Sequence, residues 1–158
     1  MLEIVLEAKK WIGVKERGAN SGPEVERFQR SVDGVAQGEP WCMAFVQYCI
    51  SQVEWRDRVD SPVFKSEHCL TVWNRSPEVL RMKHPAPGAI VIWQHGSSSR
   101  GHTGIVSRVI DTNWFETIEG NTSGRPGIDR EGDGVFEKAR TVGGAGDMRV
   151  VGFLRPFL

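Results

Sequence analysis

The apolar and polar positions follow a helical repeat in the first half of the chain and a strand-like pattern in the second half. Residues 2–12 place leucine and valine side chains on one side of a helix and charged side chains largely on the other. A second helix is predicted in NSGPEVERFQ, with Pro23 at its first position and acidic residues in its first turn. A third is predicted from Pro40 to about Val53, and its apolar spacing indicates a largely buried helix. A fourth helical pattern covers residues 66–74.

Strand patterns begin after the turn sequence HPAPG. They are the five runs AIVIWQ, TGIVSRVI, WFETIEG, VFEKAR and RVVGFLRP, separated by turns rich in glycine, serine and asparagine. Because helices come first and strands follow, the pattern predicts an α+β fold with an antiparallel sheet. No internal repeat, low-complexity tract or linker interrupts the sequence, so we expect one domain over residues 1–158.

Charge and apolar runs narrow the class of protein. Twenty basic and twenty acidic residues leave a formal net charge of zero, so we do not expect nucleic acid or an anionic membrane surface as a partner. No apolar run approaches the roughly 20 residues of a membrane span. Glu3 and Glu7 stand where a secretory signal peptide has a basic start and an uncharged run. We therefore expect synthesis in the cytoplasm without a cleaved signal.

Cys42 is the first candidate for chemistry. It lies in GEPWCMAFV, in the first turn of the third predicted helix, where free backbone N–H groups and the positive end of the helix dipole favour a thiolate. The alternative interpretation is a small core residue, because free cysteine is among the most buried residue types. Cys49, two turns further on, is expected in the core, at roughly 10 Å from Cys42 and too far to form a disulfide. Cys69 has no distinguishing context.

A thiolate nucleophile needs a histidine, and His102 is the best placed one in the sequence. It lies in RGHTGIV, just before an apolar strand that would hold its ring. The next strand ends in TIEGN, where Glu119 and Asn121 share one face. From a neighbouring antiparallel strand they would reach the second ring nitrogen of His102 and stabilise the charged imidazole. A turn-forming role remains the alternative for Asn121. The other histidines are expected on the surface or in a polar loop: His68, His84 and His95.

Four segments together resemble the CHAP family, the cysteine- and histidine-dependent amidohydrolases and peptidases of bacterial and phage cell-wall lysis. They are PWCMAFV, PGAIVIW, GHTGIV and IEGNTSG, which occur in the family's order. The resemblance covers roughly residues 5–156. It implies a papain-like fold, with N-terminal helices packed on an antiparallel sheet of five to six strands. It also implies roles: Cys42 as nucleophile, His102 as base, Glu119 as orienting acid and Asn121 as a polar fourth member.

The resemblance implies acyl transfer on a peptidoglycan stem peptide. The amide bond cut would lie at the junction with the sugar, as for an N-acetylmuramoyl-L-alanine amidase, or within the peptide, as for an endopeptidase. The backbone N–H of Cys42 would hold the oxyanion together with one further donor, for which Gln37 is a candidate. Three tryptophans are candidates for lining the substrate groove: Trp41, Trp93 and Trp114.

We expect no cofactor and no metal. Some relatives bind calcium through aspartates in an N-terminal loop, but the corresponding segment VKERGANSGPE has none. The segment DREGDG at residues 129–134 begins like an EF-hand loop, yet its twelfth position is Arg140 rather than glutamate. We interpret it as a solvated turn. Ala89 stands where the family often has aspartate, which we expect to affect a turn only.

Three other functions remain open. A toxin-like deamidase or transglutaminase acting on protein would use the same nucleophile and base. A structural zinc site would use Cys42, Cys69 and His102, although the chain has no C-x-x-C pair. A non-catalytic wall-binding module would not need the Cys/His/Glu set.

The setting is open between two routes to the cell wall. A phage lysin would pass a holin, whereas a secreted antibacterial effector would use a dedicated secretion system and travel with an immunity protein. Either would act in the periplasm or cell wall. We expect a monomer in both cases.

Overall fold

The computed structural model describes residues 2–122 and 132–158. Helices precede strands in these residues, as the sequence pattern predicts. The helices are α1 (Leu2–Lys9), α2 (Pro23–Asp33), α3 (Cys42–Asp57) and α4 (Cys69–Arg75), followed by a short 3-10 helix at Glu78–Leu80. The strands are β1 (Arg81–Met82), β2 (Ile90–His95), β3 (Gly101–Val109), β4 (Trp114–Thr122), β5 (Gly134–Thr141) and β6 (Met148–Leu154).

The described strands form a six-stranded antiparallel sheet in the order β1-β6-β2-β3-β4-β5. Strand β3 is hydrogen-bonded to β2 on one side and to β4 on the other, so its residues have neighbours on both sides. The prediction of an α+β fold with helices on an antiparallel sheet is confirmed. The architecture is compatible with a papain-like fold.

The sheet buries apolar side chains on both faces. Along β2, Ile90 and Ile92 belong to the core shared with the helices, whereas Val91 and Trp93 belong to a second cluster. Because successive strand residues point to opposite faces, this second cluster lies on the far face of the sheet. Helix α3 packs against β3 and β4 and buries 10 of its 16 residues, which confirms the expected burial of this helix.

Two helices begin later than the sequence pattern predicts. Helix α3 begins at Cys42 rather than Pro40 because Trp41 is its N-cap, and the Trp41 carbonyl accepts the N–H of Phe45 at 2.9 Å. Helix α4 begins at Cys69 because the preceding His68 keeps an extended backbone. Cys42 and Cys69 are therefore both the first residues of helices. The sequence pattern predicted a position in the first helical turn for Cys42 only.

Two further differences concern the strands. Strand β1 has only two residues paired with β6, too few to give an alternating pattern in the sequence. His95 is not in a polar loop but ends β2, where it is buried with its Nδ1 3.3 Å from Asp147.

Residues 129–131 of the segment interpreted as a solvated turn lie outside the described residues. Across residues 2–122 and 132–158, no helix combines the length and the apolar character needed to cross a membrane.

Candidate active site

The start of α3 presents Cys42 to a cavity of about 410 Å³. As the first helical residue, Cys42 lies beside backbone N–H groups that have no carbonyl one turn earlier in the helix to bond. Its thiol is free and only 7% exposed. Cys69, at the start of α4, lines the same cavity, and the two sulfur atoms are 3.7 Å apart.

His102, the second residue of β3, faces the same cavity. Its Nε2 lies 2.7 Å from Oε1 of Glu119 on β4, so Nδ1 is the ring nitrogen left for Cys42. Trp93 on β2 is the register partner of His102, and the two rings stack with their centroids 5.6 Å apart. The contact that the sequence predicts between Glu119 and the second nitrogen of His102 is present.

Glu119 is completely buried and receives hydrogen bonds from two further side chains. The guanidinium of Arg140 on β5 donates to both carboxylate oxygens, at 2.6 and 2.7 Å, and the Thr117 hydroxyl donates to Oε2 at 2.5 Å. Gly104 on β3 leaves the necessary room, since a Cβ there would lie 2.6 Å from Cγ of Glu119. A carboxylate taken out of water needs such compensation, and here it remains ionised.

The charges in the site depend on one another. Burial raises the pKa of Glu119, but the hydrogen bonds and positive charges of His102 and Arg140 outweigh it and hold this pKa far below its ordinary value. Burial likewise lowers the pKa of His102, but the hydrogen bonds and negative charges of Cys42 and Glu119 raise it to about 9. An ionised Cys42, His102, Glu119 and Arg140 carry charges that cancel, which limits the cost of burying them.

The pKa of the Cys42 thiol is well below its ordinary value. The hydrogen bond with Cys69 is the largest cause, burial opposes it, and the hydrogen bond and charge of His102 lower the pKa further. Burial instead raises the pKa of Cys49 well above its ordinary value. Of these two cysteines on α3, only Cys42 has surroundings that favour the thiolate.

The cavity also carries acidic and basic side chains. Burial and the neighbouring Glu39 raise the pKa of Glu67 to about 8. The acidic and basic side chains are groups that could pair with complementary groups of a ligand. The lining residues are Glu39, Pro40, Cys42, Glu67, His68, Cys69, His95, Ser99, Arg100, Gly101, His102 and Asn121.

A comparison with known families decides the class of this site. The family model of the CHAP domain matches residues 34–121, which is more than half of the chain and includes Cys42, His102 and Glu119. The chain belongs to the CHAP-domain family. No curated protein matches the chain. Membership supports cysteine- and histidine-dependent hydrolase chemistry of the peptidoglycan hydrolase or amidase type in general.

Asn121 lines the cavity of the CHAP domain together with Cys42 and His102. Its backbone has a left-handed φ of 53°, at the point where the register between β4 and β5 shifts. Asparagine adopts this conformation more readily than most residues. Asn121 therefore combines a turn-like backbone with a place in the cavity, so both interpretations of the sequence describe it in part.

Gln37 does not line the cavity around Cys42. Its side chain is exposed, and its backbone N–H donates to the carboxylate of Glu39 at 2.7 Å. This position, in the loop before α3, gives no support to the expected oxyanion role. The backbone N–H groups at the start of α3 remain the donors nearest to the Cys42 sulfur along the chain.

The three tryptophans are also placed away from the cavity of Cys42. Trp41 and Trp93 are fully buried in the two apolar clusters, where large rings contribute to packing. Trp114 is partly exposed but lines a separate cavity next to Arg140. None of the three predicted groove tryptophans therefore lines the cavity of Cys42, and Trp93 instead stacks on the ring of His102, its register partner.

Sequence reasoning gave Arg140 no role at the site, and it considered Cys69 only as a ligand of a structural zinc. Arg140 follows Glu119 by 21 residues and reaches it only because β5 pairs with β4, a register that no local pattern indicates. Alternation along VFEKAR limits Arg140 to one of two faces, which is the only local signal. The contact of Cys69 depends on Gly101, one residue before His102, because a Cβ there would lie 3.0 Å from Cβ of Cys69.

Metal ligation receives no support from the described part of the chain. Within residues 2–122 and 132–158, no group of three or more His, Cys, Asp or Glu side chains is arranged to hold a metal ion. Cys42, Cys69 and His102 share one cavity, but the two thiols are in contact with each other at 3.7 Å and do not form such a group.

Proposed function

We propose that this CHAP domain is a peptidoglycan hydrolase that cleaves an amide bond through a covalent intermediate on Cys42. The observation that carries the proposal is the buried Cys42–His102–Glu119 arrangement on the wall of an open cavity. It combines a thiol of lowered pKa, a histidine of raised pKa and an ionised carboxylate, which is the set that cysteine-dependent acyl transfer requires.

Acylation begins with the thiolate. The Cys42 sulfur attacks the carbonyl carbon of the amide and forms a C–S bond, while the carbonyl oxygen takes the negative charge. The backbone N–H groups at the start of α3 are placed to stabilise that oxygen. The imidazolium of His102 then gives its Nδ1 proton to the leaving amine as the C–N bond breaks.

Deacylation uses the same groups in the opposite proton states. Neutral His102 takes a proton from water, and the resulting hydroxide attacks the thioester carbonyl. The C–S bond breaks, the carboxylic acid product leaves, and the Cys42 thiolate is restored beside the His102 imidazolium. Glu119 remains ionised throughout, so it orients the imidazole and stabilises its positive charge in both steps.

The substrate follows from the family. We place the cleaved bond in the stem peptide or at its junction with the sugar, as in an endopeptidase or an N-acetylmuramoyl-L-alanine amidase. The protein would then act in the periplasm or cell wall, either as a phage lysin or as a secreted antibacterial effector.

Digestion of purified sacculi, followed by mass analysis of the released muropeptides, tests the proposal. We expect stem-peptide fragments from the wild type and none from Cys42→Ala, and the new termini identify the bond. Activity should survive EDTA and disappear with iodoacetamide. Release of ammonia from protein glutamine without muropeptide release would instead assign a deamidase, and loss with EDTA followed by recovery with zinc or calcium would assign a metal role.

A further inference from the structure

Cys69 places a second thiol against the proposed nucleophile. The Sγ atoms of Cys42 and Cys69 are 3.7 Å apart, which is within hydrogen-bonding distance for sulfur and far longer than the roughly 2.05 Å of a disulfide. Both residues are first residues of helices, both are more than nine-tenths buried, and both line the cavity. The contact is therefore a built part of the site rather than a chance approach of surface side chains.

The position of Cys69 is fixed by the strand that carries His102. Gly101 precedes His102 on β3, and a Cβ at Gly101 would lie 3.0 Å from Cβ of Cys69 and 2.6 Å from the carbonyl oxygen of Trp93. The start of α4 thus packs against the start of β3 with no side chain between them. As a result, the thiol of Cys69 and the ring of His102 reach Cys42 from neighbouring positions.

We propose that Cys69 is a positioning residue whose S–H donates a hydrogen bond to the Cys42 thiolate and keeps it ionised and aimed at the cavity. The inference rests on the proposed role of Cys42 as nucleophile. Of the two thiols, Cys42 is the one paired with His102, so it is the one that gives up its proton and accepts. Cys69 keeps its proton, because its hydrogen bond with Cys42, burial and the negative charge of Cys42 raise its pKa well above the ordinary value.

This arrangement gives the thiolate two donors of different kinds. His102 holds a mobile proton that goes to the leaving amine, whereas Cys69 holds a proton that stays throughout the cycle. When the Cys42 thiolate leaves in deacylation, Cys69 would stabilise it together with the His102 imidazolium that has taken a proton from water. Hydrogen bonds to a charged acceptor are stronger than neutral ones, so even a weak S–H donor contributes when both groups are buried.

Cys69→Ala and Cys69→Ser test the proposal in the presence of a reductant, which prevents a disulfide from forming. Iodoacetamide alkylation is followed at each cysteine by peptide mass mapping across a range of pH. We expect the apparent pKa of Cys42 to rise by about one unit or more in Cys69→Ala. In Cys69→Ser, whose hydroxyl also donates, we expect a smaller rise. Cys49→Ala is the matched control and should leave the Cys42 profile unchanged.

The rate of muropeptide release gives a second readout. If Cys69 stabilises the thiolate, kcat/KM of Cys69→Ala falls about tenfold at acidic pH and recovers toward alkaline pH, where Cys42 ionises without help. A purely structural role would lower the rate equally at every pH.

Two results would overturn the proposal. One is an unchanged Cys42 profile in both Cys69 variants, and the other is alkylation of Cys69 before Cys42 in the wild type. The alkylation experiment needs no peptidoglycan, so it stands even if the substrate assignment fails. If Cys69→Ala does not fold, Cys69→Ser and the wild-type order of alkylation still decide.

Discussion

Cys42 and Cys49 lie two helical turns apart on α3, and both are buried, yet the pKa values of their thiols move in opposite directions. Around Cys49, burial is the main influence on the thiol pKa, the negative charge of Glu7 raises it further, and the positive charge of Lys10 opposes them. Around Cys42, Cys69 and His102 supply hydrogen bonds that outweigh the same burial. The two positions share a helix, an apolar face and a residue type, so their difference comes from the neighbours.

The surroundings of a buried cysteine decide whether its thiolate is favoured. Burial disfavours the thiolate at both positions, because it removes the charge from water. At the helix start, free N–H groups, a second thiol and an imidazolium replace that water, and the imidazolium is itself stabilised by a carboxylate. Each group of this arrangement can be changed separately by mutation, from Cys42 outward through His102 and Glu119 to Arg140.

Exchanging the cysteines one at a time is expected to give the largest effect. Cys42→Ala should lower muropeptide release by about 10³-fold or more, because no other group replaces the sulfur nucleophile. Cys49→Ala should retain most of the activity, since it removes only a buried apolar contact. Peptide mapping after brief iodoacetamide treatment at neutral pH should find label at Cys42 and very little at Cys49.

Retained activity in Cys42→Ala would refute the assignment, and loss of activity in a folded Cys49→Ala would move the nucleophile to the middle of the helix. Circular dichroism of both variants establishes that the fold is intact.

The pH dependence of the wild type tests the charged partner of Cys42. The pKa of His102 is raised from 6.5 to about 9, so the imidazolium that protonates the leaving amine persists well above neutrality. We expect kcat/KM to fall as pH rises through about 9, by about tenfold for each further unit. Toward acid, activity should persist below the ordinary pKa of a thiol, because the Cys42 thiolate is stabilised. An alkaline limb near the ordinary histidine value would mean that Glu119 and Cys42 do not hold the proton on His102.

Removing the charge of Glu119 should weaken the pair formed by the Cys42 thiolate and the His102 imidazolium, because Glu119 is hydrogen-bonded to His102. Glu119→Gln keeps a polar side chain beside His102 but loses the negative charge, so we expect kcat/KM to fall about tenfold or more. The alkaline limb should move below pH 9, and the Cys42 alkylation profile should shift upward. Asn121→Ala is the comparison and should lose less activity, because a neutral amide does not stabilise the imidazolium.

An unchanged rate and alkylation profile in Glu119→Gln would assign Glu119 to structure and make Asn121 the third member of the site. If Asn121→Ala lost more than Glu119→Gln, a neutral amide would be contributing more than the buried charge.

Local patterns in the sequence predict Cys42, His102 and Glu119 in the site but not the contacts of Arg140 and Cys69. The helix with Cys42, the strand with His102 and the alternation that points Glu119 toward it follow from apolar spacing and turn residues. These features depend on residues that are close in sequence, within one helix or strand or in two successive strands. The order of helices and strands indicates the α+β fold for the same reason.

Contacts between distant elements are what the sequence does not reveal. Cys69 meets Cys42 across 27 residues because α4 begins at Cys69, and a shift of the helix start by a few residues would separate the sulfurs. Tryptophans near a candidate nucleophile look like a groove in the sequence, yet Trp41 and Trp93 point to opposite apolar clusters of the folded protein. Burial of a large ring depends on tertiary packing rather than on sequence distance.

The smallest effect is expected from changing Arg140, which acts on Cys42 only through Glu119 and His102. Its guanidinium holds both oxygens of the fully buried Glu119 at 2.6 and 2.7 Å. Arg140→Lys keeps the positive charge but loses the two-pronged geometry, so Glu119 stays ionised while its orientation toward His102 loosens. We expect kcat/KM to fall a few-fold and the free energy of unfolding to fall by about 1–3 kcal/mol.

Arg108→Lys is the matched control for this change. Arg108 makes a similar double hydrogen bond to Glu116 at 2.7 and 3.0 Å, but on the exposed part of β3, where water and salt weaken the pair. Neither kcat/KM nor urea unfolding should change measurably in that variant. If Arg140→Lys behaved like Arg108→Lys, the hydrogen bonds of His102 and Thr117 would be enough to hold the Glu119 carboxylate, and Arg140 would not contribute to the properties of Cys42. If Arg140→Lys lost as much activity as Glu119→Gln, the guanidinium geometry would be as important to the thiolate as the carboxylate charge itself.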